Sequence, residues 1–141
     1  MPKASSKSLT LSPKPLDEKI TINVGCVDLG QIDLLVQEGF YANRTDLIRT
    51  AIRNQLATHA DAVRQAAARK TLSLGVLNVS KADLLALKAA GRTLDIRVLG
   101  LATIAPDVTP ELALATISSL HVLGALHASP AVKAVLAQRG G

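Results

Sequence analysis

Along "EKITINVG", Glu18 to Gly25, polar and β-branched side chains alternate, which is the pattern of one half-buried strand. The period then changes. In "VDLGQIDLLVQE", Leu29, Ile32, Leu35 and Val36 fall at helical spacing on one face. Gly39 follows where a left-handed residue closes a helix. "NRTD" announces a second helix: Asn43 suits the N-cap, and Asp46, three residues on, makes a variant of the capping box. Leu47, Ile48, Ala51, Ile52 and Leu56 form its apolar stripe, which continues through Ala60, Val63 and Ala67. The pattern predicts one unusually long helix running to Lys70.

The second half follows a different rhythm. "LSLGVLNVS", "RVLGLATIAP" and "HVLGALHASP" align on Gly75, Gly100 and Gly124 as a degenerate repeat. A helix start follows each copy, with Ser80, Thr109 and Ser129 as N-caps and Pro110 and Pro130 at the first helical position. The predicted helices are "KADLLALKAAG", "PELALATISS" and "PAVKAVLAQRG". Strands this apolar need cover on both faces. The expectation is a small α/β domain of three βα repeats, a short parallel-sheet solenoid. Its strands faintly resemble those of leucine-rich repeats, although the asparagine of that pattern is missing from all three copies.

The first strand has no partner nearby in sequence, and a lone strand leaves a row of backbone donors and acceptors unpaired. Two copies of the chain remove the problem. Their strands pair antiparallel into a ribbon, and four helices close over one face. Alternation then sends Ile20, Ile22 and Val24 into a shared core with Leu35, Ile48 and Ile52. Lys19, Thr21 and Asn23 point outward, either as ordinary solvated residues or as a surface that reads a partner.

Composition narrows the partner. Of 141 residues, 48% are hydrophobic and 19% charged, which is a globular balance. No apolar run is long enough to span a membrane, and the opening "MPKASSKSLTLSPKP" lacks a signal-peptide core, so a cytoplasmic protein is expected. Phe40 and Tyr41 are the only aromatic residues, which argues against single-strand modules that stack bases. The net charge of +5 permits an anionic partner. Cys26 reads as a small apolar residue, because one cysteine offers neither an intrachain disulfide nor a cysteine-pair metal site. His121 and His127 lie about 20 Å apart if both sit on one strand, too far to share an ion. No nucleotide loop or catalytic constellation is present. The chain is therefore expected to be no enzyme and to need no cofactor.

"KITINV", the helix ending at Gly39, and "GFYANRTDLIRTAIR" together resemble the ribbon-helix-helix family, which includes Arc, MetJ and CopG-type regulators. The resemblance covers Lys19 to Ala57. It implies a β-α-α module that forms an intertwined homodimer, with a ribbon carrying Lys19, Thr21 and Asn23 into the major groove of double-stranded DNA. The start of the second helix, at Asn43, Arg44 and Thr45, offers free N–H groups and a positive dipole end to a DNA phosphate. The acids Asp28, Asp33 and Glu38 belong to the first helix, away from that ribbon.

The organisation expected is a flexible basic arm over 1–17, a ribbon-helix-helix module over 18–57, a helical extension over 58–70, and a βα-repeat oligomerisation domain over 71–141. Function follows as a sequence-specific DNA-binding transcriptional regulator, a repressor, that self-associates further through residues 71–141. The competing readings are the antitoxin of a toxin–antitoxin pair and a DNA-bound segregation scaffold. A ligand-sensing C-terminal region is a weaker rival, since it offers few polar groups to orient a ligand.

Overall fold

A computed structural model describes residues 17–139. The basic arm expected over 1–17 lies, apart from Asp17, outside the described residues. Among the described residues three helices come first: α1 (Cys26–Gln37), α2 (Arg44–Thr58) and α3 (Ala60–Arg69). The long helix expected to reach Lys70 is thus two helices. His59 (φ −104°, ψ 15°) caps one and opens the other. The apolar spacing carries across this break because both segments are helical, so periodicity alone could not locate it.

After α3 the chain alternates strand and helix: β1 (Ser73–Val79), α4 (Lys81–Ala89), β2 (Leu94–Ile104), α5 (Pro110–Thr116), β3 (Ile117–His127) and α6 (Pro130–Leu136), closed by a 3₁₀ turn, Ala137–Arg139. The strands form one parallel sheet in the order β1-β2-β3. The expected caps are all made: Ser80, Thr109 and Ser129 side chains accept from the N–H groups of Asp83, Leu112 and Val132. Ser80 and Asp83 complete a reciprocal capping box. The second predicted helix, "PELALATISS", is shorter than expected. It stops at Thr116, and Ile117 enters β3 with no intervening loop. Ile117 is fully buried, so the pull of the core overrides the helical continuation.

The three repeat glycines stand opposite one another, Gly75 beside Gly100 and Gly100 beside Gly124. Their φ values are +131°, +142° and +121°, a backbone region that side-chain-bearing residues rarely occupy. Close approach adds a second requirement. A Cβ on Gly100 would lie 2.2 Å from the Gly75 carbonyl oxygen, and one on Gly124 would lie 2.0 Å from that of Gly100. The repeat that aligns the sequence is therefore also the row that sets strand register.

The core lies on one side of this sheet. Val79, Ile96, Val98, Ala102, Ile104 and Leu120 pack from the strands against Leu84, Leu112, Ala113, Val132 and Leu136 of the helices. α4, α5 and α6 lie side by side over them. Thr116, the one buried polar residue among those described, donates its hydroxyl to the Leu112 carbonyl at 2.7 Å and so leaves no unmet donor there. Among the described residues, α1, α2 and α3 bury no side chain at all. No described helix is long and apolar enough to cross a membrane.

Candidate nucleic-acid interface

The turn between α1 and α2 is fixed at both ends by hydrogen bonds. Gly39 (φ +84°) donates its N–H to the Val36 carbonyl at 3.1 Å, and Phe40 donates to Leu35 at 3.0 Å. These two bonds form the left-handed helix stop expected from the glycine. Asn43 then caps α2, accepting from the Asp46 N–H at 2.8 Å. The Asp46 carboxylate reaches back to the Ala42 N–H at 2.9 Å, one residue earlier than a standard capping box. As the first residues of α2, Arg44 and Thr45 have N–H groups without intrahelical acceptors, directed out of the helix end.

Arg44 has a partner that its sequence position did not announce. Its Nε donates to Asp33 Oδ1 at 2.7 Å and its Nη2 to Asp33 Oδ2 at 2.9 Å, a bidentate pair between α2 and α1. The Arg44 hydrogen bond holds the Asp33 carboxyl below the ordinary carboxylate range, and Asp33 in turn raises the Arg44 pKa. The Arg44 side chain is still 56% exposed. It stands beside the helix end and remains accessible, but its charge is already partly answered.

Residues 18–24 carry no strand assignment within the single chain. Lys19, Thr21 and Asn23 are exposed, and so are the residues expected beneath them: Ile20 is 76% exposed, Ile22 68% and Val24 40%. The rest of the expected shared core is bare too, with Leu35 at 36%, Ile48 at 38% and Ile52 at 47%. One chain therefore leaves uncovered the stripe that two chains were expected to cover together. Two contacts hold the start of this segment. Asp17 lies 3.8 Å from Arg49 of α2, and Glu18 Oε1 lies 2.9 Å from His127 Nε2 at the end of β3.

Sequence reasoning missed the Asp33–Arg44 and Glu18–His127 pairs. The partners are separated by 11 and 109 residues, and no local pattern signals either one. Cys26 is exposed at the start of α1. Among the described residues, no group of three or more His, Cys, Asp or Glu could hold a metal ion.

In a comparison with known families, residues 15–133 fit the ribbon-helix-helix transcriptional regulator family. The match runs beyond the helices and through the βα repeats, so both halves of the chain belong to a single family pattern. No curated protein and no solved structure matches the chain.

Proposed function

The chain belongs to the ribbon-helix-helix transcriptional regulator family, and from that premise we propose that it is a homodimeric, sequence-specific repressor that reads the major groove. Residues 18–24 of two chains pair antiparallel, and Ile20, Ile22 and Val24 turn into a core shared with Leu35, Ile48 and Ile52. Lys19, Thr21 and Asn23 meet base edges, for which their ammonium, hydroxyl and amide groups are suited. Asn43, Arg44 and Thr45 at the start of α2 seat a phosphate on each side of the ribbon and fix its register without carrying sequence code. A dimer seated over a promoter represses by occupying it.

The observation that carries this reading is the bare apolar stripe of the N-terminal half, together with a strand-patterned segment that pairs with no strand among the described residues. Apolar surface contributes roughly 25 cal/mol per Å² when removed from water, so covering this stripe is a strong drive to pair. Footprinting the purified chain on the DNA adjoining its own gene tests the proposal. Protection of a short two-fold-symmetric site, at protein concentrations well below those protecting unrelated DNA, is expected. Equal affinity for all duplexes would overturn it.

A further inference from the structure

The described helices cover only one face of the sheet. On the other, Leu74, Leu99 and Leu123 form one row across the three strands, and Val76, Leu101 and Ala125 form a second. Leu74 is 79% exposed, Val76 54% and Leu123 46%. Between the rows run Gly75, Gly100 and Gly124, whose bare backbone floors a groove of about 530 Å³. Polar rungs border it: Thr103 donates to Asn78 at 2.5 Å toward one end, and toward the other Arg97 stands opposite His121, followed by Ser119 bonded to Asp95. An apolar centre with a hydrogen-bonded polar margin is the anatomy of a protein interface.

The chemistry of the groove narrows its occupant. Its lining contains one ionisable group, Glu18, and the neighbouring Arg97 turns its guanidinium onto the Lys70 carbonyl, so a phosphate backbone would gain little there. A polar ligand would find almost no donors to orient it. A second copy of the same face fits, because ridge and trough lie side by side on it. Under a two-fold axis the leucine row of each copy enters the glycine trough of the other, at the roughly 10 Å spacing of packed sheets. Continuity points the same way. Ile20 lines this groove and also begins the bare N-terminal stripe, so the groove extends the surface that two chains are proposed to share.

We propose that the helix-free face of the sheet is a self-association surface, on which the same face of a second copy seats leucine row into glycine trough. The inference rests on the N-terminal pairing described above and adds a second contact that joins ribbon dimers.

Sedimentation equilibrium on four full-length chains tests it: the wild type, a face variant with Leu74→Glu and Leu123→Glu, a ribbon variant with Ile22→Lys and Val24→Lys, and the combination. All the substituted residues are exposed, so the helix-covered core is left alone; circular dichroism checks that each variant keeps its helices. The ribbon variant is expected to show twice the mass of the combined variant. Leu85→Glu, on the helix side and 47% exposed, should leave the mass unchanged. Equal masses for the ribbon and combined variants would overturn the proposal. So would a ribbon variant that associates only after residues 1–16 are removed, because the chain's own leader would then be the occupant. Operator binding by the wild type is scored separately. Equal masses with specific DNA binding sink the face alone, and a twofold mass difference without specific binding sinks the DNA reading alone.

Discussion

Arg44 and Asp33 face each other across the turn between α1 and α2, joined by two hydrogen bonds of 2.7 and 2.9 Å. The residue proposed to meet a DNA phosphate is thus held by an internal anion that competes for the same donors. Asp33→Asn removes that competition. Affinity for duplexes of any sequence is expected to rise, and the dependence of log K on log salt to steepen by about one. Arg44→Ala should do the reverse, weakening all sequences alike. Fluorescence anisotropy over a salt series measures both. An unchanged slope in either variant would remove Arg44 from the phosphate site.

Base reading should be separable from phosphate contact. Thr21→Ala and Asn23→Ala are each expected to relax discrimination between operator and unrelated DNA by roughly 1–3 kcal/mol, with the salt slope and the sedimented mass unaltered. Competition binding against single-base operator variants would show which position each residue reads. Undiminished discrimination would mean that the other face of the segment, or none of it, meets the bases.

The glycine row predicts a graded response. Gly100→Ala combines a strained φ with a Cβ 2.2 Å from the Gly75 carbonyl oxygen, and should cost about 2–4 kcal/mol. Gly75→Ala has the same backbone strain but nothing within 4 Å of its Cβ, and should cost about 1–3 kcal/mol. Urea unfolding of the two variants checks the order, which tertiary contact alone sets.

The helix stop after α3 is built on the wrong residue for its geometry. Thr71 sits at φ +57° and donates its N–H to the Ala68 carbonyl, while Leu72 donates to Ala67. This is the same paired-bond stop that Gly39 makes after α1. A β-branched residue is strained there, so Thr71→Gly should stabilise the chain by about 1 kcal/mol or less, after the added freedom of the unfolded chain is subtracted. A lower melting temperature would show that the threonine side chain has a compensating contact.

Acid should weaken the fold through two carboxylates. Asp83 is lowered from its ordinary value of 3.8 by hydrogen bonds from the Ser80 backbone and hydroxyl, and Asp33 is lowered by Arg44. Each folded value lies below the unfolded one. Their stabilisation is therefore complete above the ordinary carboxylate pKa and disappears as pH falls through the folded value. Stability measured between pH 7 and 5 should change little on their account, with the loss confined to pH below about 4. Ser80→Ala should cost about 1 kcal/mol at neutral pH and flatten part of that acid slope.

Most helix ends and the three βα units were legible in the chain. Gly39, Asn43, Ser80, Thr109 and Ser129 sit at helix ends because capping is local chemistry, decided by a residue and its neighbours within four positions. The three βα units could be read from the spacing of Gly75, Gly100 and Gly124, since a repeated backbone need repeats its residue. Position within the assembled chain was not legible. The break at His59, the entry of Ile117 into a strand, the Arg44–Asp33 pair and the uncovered leucine face all depend on groups distant in sequence. A periodic pattern states that a side chain needs cover, but only the packing of helices against sheet decides which surface provides it.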